Sequence, residues 1–173
     1  MIEVIPTDSQ KKEARFKASR LGSLQGSIQR GAGNTAGMLG EILIRDMFGY
    51  LEGNTKDYDL YTNNGIRIDV KTKLCTSEPR DFYECSIISH GLHQNCDRYI
   101  FVRVMKNLTK AWLLGQITKE EYFARAVRLK KGDRDESNNY TVKADCYNLP
   151  ISELWKIEQD YSPSPSISIA TPT

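Results

Sequence analysis

From Ile66 to Lys71 the chain alternates strictly, with Ile66, Ile68 and Val70 apolar and Arg67, Asp69 and Lys71 charged. Such a period of two dictates a strand with one buried face. Asn63-Asn64-Gly65 stands just before it, and Asp57-Tyr58-Asp59-Leu60-Tyr61-Thr62 precedes that turn signal. The stretch therefore reads as a β-hairpin. Asp69 and Lys71 project from one face, roughly 6.5–7 Å apart along the strand.

The register decides what joins them. A three-residue loop with Gly65 at positive φ pairs Thr62 with Ile66 and Leu60 with Ile68, and sets Asp59 beside Asp69, with Asp57 opposite Lys71. A two-residue Asn-Gly loop moves Asp59 to the face of Val70. Turn chemistry accommodates both. In the first register two carboxylates repel unless a cation or the lysine compensates. The plain alternative is the solvated outer face of an ordinary hairpin.

Upstream, residues 35–51 read as a helix whose apolar positions, from Met38 to Phe48, wrap most of the circumference, as in a buried helix. Glu41 lies on the stripe of Gly37, Ile44 and Phe48, where a carboxylate is costly without a partner. Arg45, four residues on, is the obvious surface partner. Residues 9–24 also read as a helix, rich in Lys and Arg, either a solvated face or an arm for a phosphate backbone. Residues 25–34 are glycine-rich and irregular.

Downstream, strands are predicted over 82–89, 98–105 and 110–117. Thr118 caps a helix to about Val127, with Glu121 reaching back. A polar loop covers 130–139, a strand 140–147 and a short closing helix 150–159, anchored by Leu154 and Trp155. From Ser162 onward Ser, Pro, Thr and Ile form a tail expected to be disordered. This order implies one α/β domain over 1–160, with a central mixed β-sheet flanked by helices, and a Ser/Pro-rich tail over 161–173.

Composition excludes more than it selects. The 173 residues suffice for one sizeable core, and the formal net charge of +2 does not announce a nucleic-acid binder. No apolar run reaches the ~20 residues of a membrane span, and no signal-peptide pattern appears, so a cytoplasmic protein is expected. There is no Walker A loop, dinucleotide-binding glycine motif, nucleophile elbow or His-Glu-x-x-His. The four cysteines include no Cys-x-x-Cys pair. Cys85, His90, His93 and Cys96 lie close in sequence, but their spacing departs from zinc-finger patterns.

A helix bearing Glu41, then Asp59, then Asp69-Val70-Lys71 on a strand resembles the PD-(D/E)XK nuclease superfamily, over roughly residues 35–117. The runs Tyr99-Ile100-Phe101-Val102-Arg103-Val104 and Ala111-Trp112-Leu113-Leu114-Gly115-Gln116-Ile117 resemble the late strands of its small members. Tyr58 stands where a proline often precedes the first acid, which leaves Asp57 and Asp59 both open as that acid. The resemblance implies a restriction-endonuclease-like fold and a Mg²⁺-dependent DNA endonuclease of homing or restriction type, small and phage-like; in that case the location is the host-cell cytosol. A structure-specific nuclease such as a Holliday junction resolvase, or an inactive nucleic-acid-binding module, are the alternatives.

In the implied site, Glu41, Asp59 and Asp69 hold Mg²⁺, or Mn²⁺ in its place, with the Val70 carbonyl as a further ligand. Lys71 positions the attacking water or stabilises the scissile phosphate. Lys73, Arg30 and Arg20 are candidates for contact with DNA. Cutting two strands with one site per chain implies a homodimer or higher homo-oligomer.

Overall fold

The computed structural model describes residues 1–21, 32–53, 55–135 and 140–158. Arg30, most of the glycine-rich stretch and the Ser/Pro tail lie outside the described residues. In chain order the elements are β1 (Ile2–Val4), α1 (Asp8–Leu21), α2 (Ala32–Phe48), β2 (Leu51–Glu52), β3 (Leu60–Tyr61), β4 (Arg67–Cys75) and β5 (Glu84–Ile88). Then come β6 (Arg98–Met105), β7 (Ala111–Thr118), α3 (Lys119–Arg125), β8 (Val127–Leu129), β9 (Arg134–Asp135), β10 (Tyr140–Thr141) and β11 (Cys146–Pro150). Single 3-10 turns cover Ser89–His93 and Ile151–Glu153.

The central sheet runs β1-β7-β6-β4-β3-β2, and only β4 and β6 are parallel. It is the expected mixed α/β arrangement. Alternation along β4 sends Ile68 and Val70 to one face, where they pack with Ile100 and Val102 of β6 against Leu39, Leu43 and Ile44 of α2. Each such side chain contributes about 1.5–3 kcal/mol when fully buried. The helix and sheet approach closely at Gly40: a Cβ there would lie 2.0 Å from Thr72 Oγ1. On the opposite face Tyr99, Phe101 and Ile117 pack with Ile87, Leu149 and Tyr122. That side is covered by a second sheet, β5-β11-β8, and by α3. Four hydrogen bonds clamp the starts of β4 and β6. Asp97 accepts from the Arg67 amide (2.8 Å), Nε (2.9 Å) and Nη2 (2.7 Å), and its own amide donates to Arg67 O (2.9 Å).

Several boundaries differ from the sequence reading. α1 opens on a reciprocal capping box that reading overlooked: Thr7 Oγ1 accepts from the Gln10 amide (3.2 Å) and Gln10 Oε1 from the Thr7 amide (3.0 Å). Thr118 caps α3 by accepting from the Glu121 amide (3.2 Å), but the Glu121 carboxylate pairs with Arg125 instead of reaching back. The polar loop 130–139 contributes β9, which pairs with β10. The expected closing helix over 150–159 shrinks to the 3-10 turn Ile151–Glu153 among the described residues. Trp155 runs antiparallel to Gln116 and exchanges both backbone hydrogen bonds with it (2.8 and 2.9 Å). The reason is the short β1, which pairs β7 only over Ala111–Leu113 and leaves Gln116 at an open edge whose polar groups need partners.

Candidate active site

The hairpin adopts the three-residue loop. The Thr62 amide donates to Ile66 O (3.0 Å), the Gly65 amide to Thr62 O (2.8 Å), and Gly65 has φ +79°. Thr62 Oγ1 also accepts from the Ile66 amide (3.1 Å), which tightens this loop. The ladder follows as Tyr61 with Arg67 and Leu60 with Ile68. It stops there, one residue short of an Asp59–Asp69 pair. Asp59 keeps one backbone bond to β4, from its amide to Ile68 O (2.9 Å), and its Oδ2 accepts from the Val70 amide (2.7 Å). The carboxylate thus replaces the carbonyl that a longer β3 would have offered. In a strand the N–H and C=O of one residue point the same way, so the Val70 carbonyl also faces this vacated edge.

Asp69 and Lys71 project to the face shared with Tyr99 and Phe101, their register partners on β6. Asp69 is 4% exposed. Its Oδ2 stands 2.6 Å from Lys71 Nζ, an ion pair without hydrogen-bond alignment, and is otherwise buried without a partner. Gln94 closes a triangle: its Nε2 donates to Asp69 Oδ1 (3.1 Å) and its Oε1 accepts from Lys71 Nζ (3.1 Å). Lys119 Nζ donates to the Gln94 carbonyl, fixing that loop from the start of α3. Lys71 Nζ also lies 5.9 Å from the centre of the Tyr99 ring. Gln94 is a site residue the sequence reading missed, because it lies in a loop with no periodicity.

Glu41 reaches the same edge from α2. Arg45, its expected partner at i+4, is taken by Glu13 (2.6 Å), Glu52 (2.6 Å) and Asp46 (2.7 Å). Glu41 makes no ion pair among the described residues. It opens instead into a cleft of about 850 Å³ between α1, α2 and the segment leading to β3, which Asp59, Lys17 and Arg20 also line. Burial, then the Asp59 charge, push the Glu41 carboxyl up to about 8; Asp69 adds to the rise and Lys17 opposes it. Asp59 is pushed up to about 7 by burial and by Asp69, against the Val70 hydrogen bond and Lys71. Burial and neighbouring acids thus raise the proton affinity of both Glu41 and Asp59, which marks a place where positive charge is wanted.

Carboxylate oxygens are the hard donors a small divalent cation takes, and a buried Asp69 Oδ2 that accepts no hydrogen bond suits one. As placed, however, no three His, Cys, Asp or Glu side chains among the described residues stand close enough to hold an ion. Asp69 is turned to Lys71 and Gln94, and Asp59 to the Val70 amide. The cysteine–histidine grouping likewise gives no metal cluster among the described residues: Cys85 and Cys96 are buried free thiols.

Of the remaining candidates, Arg20 borders the cleft, its guanidinium 5.7 Å from the Phe16 ring centre. Lys73 follows Lys71 on the same face of β4. Asp57 makes no contact with the cluster; Thr55 Oγ1 accepts from its amide (3.2 Å). No helix among the described residues is long and apolar enough to cross a membrane. No model of a known protein family matches the chain, and a search of curated proteins finds no match.

Proposed function

We propose that this protein is a Mg²⁺-dependent DNA endonuclease of the PD-(D/E)XK type, with the restriction-endonuclease-like fold that this implies. One observation carries the reading. Glu41 from a buried helix, Asp59 from the end of a hairpin strand, and Asp69 with Lys71 from the strand beside it share one sheet edge, and Glu41 makes no ion pair among the described residues. An assembly protein or a solvated hairpin has no use for so costly an arrangement.

Glu41, Asp59 and Asp69 would hold the cation, Mg²⁺ or Mn²⁺, with the Val70 carbonyl on the same edge. The cation would supply a water acidified toward neutral pH and charge neutralisation on the phosphate. Lys71, a compact point charge, contacts a phosphate oxygen or the attacking water once it leaves Asp69. Asp59, held on the Val70 amide, is fixed in the plane of the sheet. Gln94 keeps Lys71 and Asp69 in register. Cutting both strands of a duplex calls for two such sites, hence a homodimer or larger symmetric assembly.

Plasmid cleavage with Mg²⁺ or Mn²⁺, against an EDTA control, tests the reading. Asp69→Ala and Lys71→Ala should each lower the rate by about 10²–10³-fold with DNA binding largely retained. Undiminished cutting by both variants sinks the assignment. Wild-type binding without cutting, on linear, branched and supercoiled DNA alike, favours an inactive binding module. Preference for branched DNA over linear duplex marks a structure-specific enzyme, and one recurrent cut sequence a restriction or homing type.

A further inference from the structure

Beyond Lys71, β4 continues to Lys73, whose register partner on β6 is Arg103. Lys71, Lys73 and Arg103 therefore stand on one sheet face. They line a single cavity of about 270 Å³, together with Ser86 of β5, and no Asp or Glu lines it. Arg103 is 6% exposed. Its Nη2 donates to Glu84 O (2.6 Å), and neither Arg103 nor Lys73 forms an ion pair among the described residues. Burial first, then the Arg103 charge, lower the proton affinity of Lys73, and the Asp135 charge opposes them. A guanidinium buried with one carbonyl and no counter-charge is expensive to keep.

We propose that this cavity is a phosphate site. Resting on the nuclease reading above, its occupant is a non-scissile phosphate of the bound strand, next to the one at Lys71. Lys73 and Arg103 form no ion pair among the described residues, and with Lys71, whose ion pair is to Asp69, they favour an oxyanion; the cavity has room for a tetrahedral phosphate. The planar Arg103 donors, oriented by the Glu84 carbonyl, suit its oxygens, and Lys73, exposed, meets it from solvent. Lys71 and Lys73 are two residues apart on a strand, roughly 6.5–7 Å, a spacing that matches successive phosphates of an extended strand. The pair would act as a ruler, seating the chain so that the preceding phosphate faces Asp69.

The first test needs no catalysis. Metal-free protein is titrated calorimetrically with pyrophosphate and inorganic phosphate, with chloride at matched ionic strength as control. Wild type should bind both in preference to chloride. Lys73→Gln should bind about tenfold more weakly, the loss of one charge-assisted contact, and Lys73→Arg should restore binding. Because Lys73 is exposed, its variants keep the fold; Arg103→Lys, checked by circular dichroism, gives a second reading with the same expected direction. Unchanged affinity in Lys73→Gln, or no preference of wild type for phosphate over chloride, overturns the site.

The second test identifies the source. Oligonucleotides carrying one neutral methylphosphonate at successive positions around the cut are compared in cleavage. The neighbouring position should slow wild type about tenfold and leave Lys73→Gln insensitive to the change. Phosphate binding without that sensitivity overturns the strand assignment in favour of a free-phosphate site. A protein that binds phosphate through Lys73 yet cuts no DNA overturns the nuclease reading alone.

Discussion

At the level of single residues, the costliest feature is the pair Glu41 and Asp59. Both carboxyls hold protons well above the ordinary range, through burial first and a neighbouring acid second, Asp59 for Glu41 and Asp69 for Asp59. From the ordinary carboxylate range up to about pH 8, the folded protein therefore keeps protons that the unfolded chain has released. Stability of the metal-free protein should fall as pH rises across that window, since the native state binds more protons than the unfolded one. Urea unfolding in EDTA at pH 5 and pH 8.5 measures the slope. Glu41→Gln should flatten it and stabilise the pH 8.5 state by about 1 kcal/mol or more, while abolishing cleavage. A slope that rises with pH would show that these acids are not strained. Divalent cation should reverse the loss in wild type, because cation binding becomes tighter as the acids ionise.

At the level of elements, the long segments were legible and the short ones were not. α2, β6 and β7 carry enough apolar residues for their pattern to decide their state, and β6 matches its expected bounds. β1, β2, β8, β9 and β10 have two or three residues each, too few for any period to show; tertiary pairing alone makes them strands. The hairpin register falls between these cases. Asn63-Asn64-Gly65 suits two loops, and Thr62, which accepts the Ile66 amide through its hydroxyl, favours the three-residue form. The contact of α2 with β4 gives an element-level prediction. Gly40→Ala drives a methyl group to within 2.0 Å of Thr72 Oγ1. Turning the Thr72 side chain offers the methyl no relief, since Cβ and Cγ2 are also within 3.1 and 3.3 Å. The helix must shift outward, at about 1–3 kcal/mol, seen as a lower melting temperature. Because Glu41 is the next residue, cleavage should fall as well.

At the level of the whole molecule, the site exists because a parallel crossover brings distant loops together. The chain leaves β4, builds β5 into the second sheet, turns through the 3-10 segment and returns as β6 alongside β4. Gln94, at the end of that crossover, arrives between Asp69 and Lys71, and Lys119 at the start of α3 braces it. Gln94→Ala should leave the melting temperature nearly unchanged, as the side chain is only half-buried. It should slow cleavage by about tenfold, through loss of the two hydrogen bonds that hold Asp69 and Lys71, and less than Lys71→Ala does. An effect on stability equal to that on rate would reduce Gln94 to a structural strut.

The sequence alone determined the buried helix with a carboxylate, Glu41, on its small and apolar stripe, the alternation that sets Asp69 and Lys71 on one face, and the mixed α/β order. All of these follow from local periodicity, which needs no partner to be read. Only the tertiary structure decided that Arg45 goes to Glu13 and Glu52 and so is not available to Glu41. It also decided that β3 ends early enough for the Asp59 side chain to cap the Val70 amide, and that Gln94 and Arg103 belong beside Asp69 and Lys73. The physical reason is that ion pairing and strand length are settled by competition among groups far apart in the chain, and no local pattern records who wins.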